Sequence, residues 1–276
     1  MSALAGLPGT RVPGDRGQED PGGAGSRASY PAGMTPAELL RRALSANPAR
    51  PFVTYYDDAT GERVELSVAT FDNWVAKTAN LIQDGLLLEP DARVALALPT
   101  HWQAQVWLMA CWSAGVVAVP GGDPAGCDAV VTDAAGVEAA RACPGERVVL
   151  SLHPLGLPLG APPGFLEYAI EVRQYGDHFT PYAPVDPDAP ALEMTGRAYS
   201  GAELVEQAER IASRDGWDAG TRVLTTLDLC EWEGILNGLL VPLAAGASVV
   251  LCRNLNPDQL PERQIAERVT KIISAT

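Results

Sequence analysis

Four short apolar runs, Arg93–Leu98, Val116–Val119, Asp128–Thr132 and Arg147–Ser151, each separated from the next by a helical pattern or turn residues, constrain this chain more than any other feature. A strand that faces solvent on one side alternates apolar and polar residues, whereas a strand covered on both faces reads as a continuous apolar run. The first run leads through Pro99 into a helical stretch, Trp102 to Ala114, which ends at Gly115 and returns as the second run. A strand, a helix and a strand in that order predict a right-handed parallel crossover. The expectation is an α/β fold, mostly parallel sheets flanked by helices.

The elements around this centre follow from local signals. Thr35-Pro36-Ala37-Glu38 has a capping Thr, a Pro at the first helical position and a Glu that closes a capping box, so a helix is predicted over 36–46. Phe52–Tyr56 and Arg63–Leu66 flank Asp57-Asp58-Ala59-Thr60-Gly61 and predict a hairpin. Ser67 caps a helix whose apolar positions Val68, Phe71, Val75, Ala79 and Ile82 share a face, with Gly85 as a left-handed exit. Residues 153–190 are rich in Pro and predict an irregular crossing, with one short strand around 167–172. Ser200-Gly201-Ala202-Glu203 is a second capping box, followed by a strand at 222–226, a helix at 231–243, a strand at 248–251, a helix at 257–269 and a last strand at 271–274. Residues 1–33 hold eight Gly and four Pro with few large apolar side chains, too little to offset the entropy of ordering, so a disordered arm is expected there. Met34 is then a candidate start of translation. The ordered part is expected over 34–276, with 34–185 and 186–276 as candidate subdomains.

Charge and cysteines narrow the function classes. The formal charge is −14, and residues 1–33 contribute nothing to it, because their three Arg offset Asp15, Glu19 and Asp20. Such a surface repels phosphate backbones and anionic lipid, so neither nucleic acid nor membrane is an expected partner. Five cysteines in no C-x-x-C arrangement, most of them in apolar segments, fit small buried hydrophobes and a reducing compartment; the expected location is cytoplasmic. His101, His153 and His178 lack metal-ligand spacing. Trp102, Trp107 and Trp112 recur at five-residue steps and cannot share a helix face, so at least one is expected to be exposed as a contact surface.

This order of elements resembles the N-terminal domain of the adenylate-forming (AMP-binding) superfamily, which includes the acyl-CoA synthetases. The likeness is carried by Leu66–Leu98, by Trp102–Pro120 with its Ala-Gly step into an apolar strand, and by Arg222–Val250 with Leu243-Ala244-Ala245-Gly246-Ala247. The chain also resembles a group of short actinobacterial AMP-binding-like proteins of unknown role. The resemblance implies a loop of Ser, Thr and Gly ending in Lys that grips the triphosphate of ATP, through backbone amides and hydroxyls. At the corresponding place stand Thr195, Gly196 and Arg197, a remnant with no Lys; the chain's two lysines are Lys77 and Lys271. These three residues are the candidate nucleotide-contacting positions, and the structural reading beside it is a tight turn before a capped helix.

The family's His after the strand at 222–226 is also missing from Leu227–Glu233. The acidic trio Asp228, Glu231 and Glu233 is read either as a Mg²⁺ site or base, or as carboxylates gathered at a helix N-terminus, the reading adopted here. Gly121-Gly122-Asp123-Pro124 is read as a turn leaving the sheet. The family's later motifs and its mobile C-terminal domain are expected to be missing. Two functions are therefore expected to compete. One is a degenerate, non-catalytic binding or interaction protein, with no catalytic residue, metal or confident cofactor. The other is a minimal or split acyl-adenylating ligase that binds ATP or AMP with Mg²⁺. In either case a homo-oligomer or a protein partner is expected to cover the truncated face.

Overall fold

In the computed structural model, which describes residues 33–153 and 156–274, Thr35 opens helix α1 (Pro36–Ala46). The predicted capping box is formed: Glu38 N donates to Thr35 Oγ1 at 3.4 Å and Thr35 N donates to the Glu38 carboxylate at 2.7 Å. The expected disordered arm falls, apart from Gly33, on residues 1–32, outside the described residues.

The chain then forms the hairpin β1 (Pro51–Asp57) and β2 (Glu62–Ser67), helix α2 (Val68–Asn80), β3 (Arg93–Ala97), α3 (Trp102–Ala114) and β4 (Val117–Pro120). After these come β5 (Ala129–Asp133), a single turn α4 (Val137–Ala140), β6 (Glu146–Leu150), β7 (Leu166–Glu167) and α5 (Tyr168–Glu171). The remainder is β8 (Pro190–Met194), β9 (Arg197–Ser200), α6 (Gly201–Arg214), β10 (Arg222–Thr225), α7 (Trp232–Ile235), α8 (Val241–Ala245), β11 (Ser248–Arg253), α9 (Leu260–Ala266) and β12 (Lys271–Ile273).

These strands make two sheets. One has the order β12-β10-β11-β1-β2, and the other β7-β6-β5-β3-β4-β8-β9. Every neighbouring pair is parallel except the two hairpins, β1 with β2 and β8 with β9. The four apolar runs are β3, β4, β5 and β6, side by side in the second sheet, and their central residues are fully buried.

Helix α3 explains how the layers hold together. Every residue from Trp102 to Trp112 is buried, and the helix packs against α1, α2 and β4. A helix that is apolar all round belongs in an interior rather than at a surface. This overturns the expectation that one of the three tryptophans is exposed. They do point in different directions, but each direction is occupied: Trp102 meets Trp74 edge to face at 5.5 Å, Trp107 meets Tyr168 at 5.4 Å, and Trp112 Nε1 donates to Ala191 O at 2.9 Å.

Two further expectations change. The strand expected over 167–172 is only the two residues of β7; Tyr168 and Val172, four apart and both buried, are the inward side of α5 and the turn after it. Gly85 is not a left-handed exit. Helix α2 runs on into a π turn over Leu81–Gly85, and the chain turns at Leu87 with φ 52°. Gly85 is there because the Tyr175 hydroxyl occupies the space of a Cβ. A second π turn, Leu236–Leu240, links α7 to α8. Pro242 has no N–H to return to the Gly238 carbonyl four residues earlier, and the fully buried Gln105 supplies the bond instead, Nε2 to O at 2.7 Å.

Candidate functional site

In open parallel sheets, ligands bind in the crevice beyond the carboxyl ends of the strands. Here that crevice lies where the segments after β3, β4 and β10 approach one another. The segments after β3 and β10 are tied by Thr100, whose Oγ1 donates to Asp228 Oδ1 at 3.3 Å and accepts from Leu229 N at 3.3 Å. The thiol of Cys230 points to Leu98 O at 3.6 Å, and a Cβ added to Gly121 would lie 3.8 Å from Cys230 Cβ. Between Leu96, Leu98, Leu108, Pro120, Leu229 and Cys230 there remains a cavity of about 10 Å³, the room of one water molecule. Burial, and after it Asp228, push the Cys230 thiol up to about 11, so it stays protonated at neutral pH and is a poor nucleophile.

The candidate residues at the end of β8 form the tip of the β8–β9 hairpin. Thr195 and Gly196 have φ values of 50° and 76°, and Met194 pairs with Arg197. Two central residues with positive φ make a type I′ turn, the tightest connection between antiparallel strands. The Thr195 hydroxyl donates to Met194 O at 2.8 Å. Around Gly196, no described atom beyond its chain neighbours comes within 4 Å of where a Cβ would sit. The Arg197 guanidinium lies over the Tyr199 ring at 4.3 Å and meets Glu203 at 3.3 Å; Glu203 in turn caps α6 by accepting from Ser200 N. Tyr199 stacks on Trp232 at 4.5 Å, closing the layer towards α7. All three candidate residues are therefore at one exposed place, with Thr195 bonded to Met194 and Arg197 to Glu203. They do not fit a triphosphate, which needs several donors converging on one point.

The remaining sequence candidates resolve as structural groups. Asp228 accepts from Cys230 N at 2.9 Å, while Glu231 and Glu233 stand at the start of α7. Gly121 turns the chain with φ 64°, and Asp123 caps the short helical turn over Pro124–Gly126. Among the described residues no group of three or more His, Cys, Asp or Glu is placed to hold a metal ion, and no helix is long and apolar enough to cross a membrane. Sequence reading misses the role of His101, which is buried and caps α3 by accepting from Gln103 N at 3.1 Å. Its Nε2 lies 3.7 Å from Glu62, yet burial outweighs that carboxylate and holds the imidazole below its ordinary pKa.

Comparison with known proteins agrees with this geometry. Residues 40–132 match the family described as AMP-binding enzyme. Over 240 residues, 85% of this chain and 96% of its relative, the sequence is 39% identical to a TIGR03089 family protein of Mycobacterium tuberculosis. The chain belongs to the TIGR03089 family. Its fold is that of the N-terminal part of an acyl-CoA synthetase from Brucella canis, whose crystal structure superposes with a TM-score of 0.72 at 14% identity. That match covers 89% of the TIGR03089 chain and 48% of the synthetase, so the chain spans about half of the enzyme's length. The tight β8–β9 turn and the filled crevice therefore sit within an adenylation-type scaffold.

Proposed function

We propose that this chain is a non-catalytic binding or interaction protein, built on the adenylation scaffold but without ATP-dependent ligase chemistry. The observation that supports this reading is the two-residue turn at Thr195 and Gly196, in the place where the family's triphosphate loop is expected. Adenylation joins a carboxylate to the α-phosphate of ATP, and its transition state needs donors fixed where charge develops. A tight turn leaves no length of loop to wrap phosphates, and the room near Leu229 and Cys230 does not admit an acyl group.

The deciding experiment is a titration of the full chain with ATP and Mg²⁺, followed by calorimetry and by thermal unfolding. A ligand that binds the native state at a hundred times its Kd would stabilise it by about 2.7 kcal/mol. The expected result is no heat and no shift of Tm. A clear shift, or exchange of pyrophosphate into ATP with any member of a broad acid panel in the presence of cell extract, would establish the split-ligase reading in its place.

A further inference from the structure

We propose that the groove between α2, the start of α3 and Arg173 binds an organic anion with a flat aromatic body. This inference concerns a different place from the β8–β9 turn and holds whether or not the chain retains ligase chemistry.

Helix α2 supplies one wall. Thr70, Asn73, Trp74 and Lys77 follow the spacing i, i+3, i+4, i+7 and all line the groove, while Val68, Phe71, Val75 and Ala79 on the other side of the helix are buried in the core. The helix is anchored by its apolar face and offers a fixed polar one. Trp102 and Gln103 from the first turn of α3 form the facing wall, and Arg173 stands at the rim. The space measures about 520 Å³, within the range of small-molecule sites.

Charge selects the kind of ligand. The chain carries 34 Asp and Glu against 20 Lys and Arg, yet among the described residues no carboxylate lines this groove, while Lys77 and Arg173 do. Neither cation is spent on an ion pair among the described residues. Lys77 Nζ donates to Tyr175 O at 2.7 Å and Arg173 donates to Gly156 O at 2.7 Å, so both are held in position by neutral carbonyls. An ammonium has three N–H donors, and one such bond leaves two for an incoming anion. In a molecule of net charge −14, this is a local positive field.

The walls select the body of the ligand. Trp74, half-buried, presents aromatic surface to the groove, and the buried Trp102 meets it edge to face at 5.5 Å. Trp102, although 7% exposed, ends in a buried ring N–H without a hydrogen-bond partner, and the amide oxygen of Gln103 is likewise unpartnered. Unsatisfied buried polar groups are uncommon in native proteins and call for an explanation. A ligand or an ordered water at this wall supplies one.

The test uses naphthalene-2-sulfonate, an anion whose charge does not vary with pH, and naphthalene-2-sulfonamide, its neutral counterpart of similar shape. Both are titrated into the full chain and followed by calorimetry. The expected result is binding of the sulfonate at least tenfold tighter than the sulfonamide, with inorganic sulfate much weaker than either. Lys77→Met and Arg173→Gln should each weaken the sulfonate about tenfold. Arg197→Ala, at the β8–β9 hairpin, should leave it unchanged. Arg173 is exposed, so its variant reads binding without threatening the fold. Equal affinity for the two naphthalenes, unaltered binding by Arg173→Gln, sulfate binding as tightly as the aromatic anion, or no sulfonate binding up to millimolar concentration would each overturn the proposal.

Discussion

Glu267 gathers the charged groups of the first sheet around one carboxylate. It is 7% exposed and accepts bonds from the Tyr56 hydroxyl, from Arg63 at 3.0 Å and from Arg222. Beside it Arg263 pairs with Asp58 at 2.6 Å and lies over the Tyr56 ring at 4.1 Å. Burial alone would raise the Glu267 carboxyl, but the bonds from Tyr56, Arg222 and Arg63 outweigh it and hold the group below its ordinary 4.5. Asp58 is likewise held below its ordinary value, Arg263 outweighing the effect of burial. The sign of the pH effect follows. A carboxyl whose folded pKa is depressed binds fewer protons in the native than in the unfolded chain, so its contribution is present above pH 4.5 and is lost as pH falls through the folded value. Removing one charge of a buried pair costs up to roughly 3–5 kcal/mol when the partner stays buried and unpaired. That applies to Arg222, whereas Arg63 is half exposed and keeps Glu65, so the loss falls at or below the low end of that range. Glu267→Gln should therefore lower the urea midpoint at pH 7 and flatten the fall in stability below pH 5, with Asp58 supplying the slope that remains. An acid limb as steep as in the parent chain would show that Glu267 is not its source.

At the scale of elements, the β8–β9 hairpin carries strain that can be relieved. Thr195 is β-branched and sits at φ 50°, where L-residues pay about 1–2 kcal/mol and Asn pays less. Asn followed by Gly is the preferred pair for a type I′ turn. Thr195→Asn should stabilise the chain by about 0.5–1 kcal/mol in equilibrium unfolding, at the cost only of the hydroxyl bond to Met194. Destabilisation would mean that the turn is held by that hydroxyl. This hairpin is also where the sequence was least legible. Caps at Thr35, Ser67 and Ser200 and the long apolar runs announce α1, α2, α6 and β3 to β6, because those signals are local. Strand β9, Arg-Ala-Tyr-Ser, is a sheet edge that pairs only with β8 and needs no apolar alternation, so nothing marks it. The sequence does not reveal why Gly85 stands in α2's exit, because the reason is a contact with Tyr175, ninety residues on in the chain. The tight turn at Thr195-Gly196 could be read from the sequence, but the filling of the crevice could not. That depends on Thr100 meeting Asp228 and on Cys230 reaching Leu98, contacts between distant loops that leave no periodic trace.

For the whole molecule, the two sheets share the buried material between them and are therefore expected to unfold together. Phe52 and Val53 of the first sheet, Val94 and Leu96 of the second, and the buried length of α3 belong to one continuous core. Trp107 is fully buried near the middle of that helix, against Tyr168. Replacing a buried Trp by Ala typically costs 3–5 kcal/mol, a large part of the 5–15 kcal/mol by which a domain is stable. If the core is shared, that loss is felt on both sides of α3, and protection from amide exchange falls by a similar factor in β10 and β11 as in β3 and β5. If each sheet instead had its own core, Trp107→Ala would open only the sheet nearer the indole and unfolding would split into two steps. Native-state hydrogen exchange on the variant, read strand by strand, separates these outcomes. The expected result is one transition with a matched loss of protection in both sheets. Undiminished protection in β10 and β11 would show that the first sheet stands on its own.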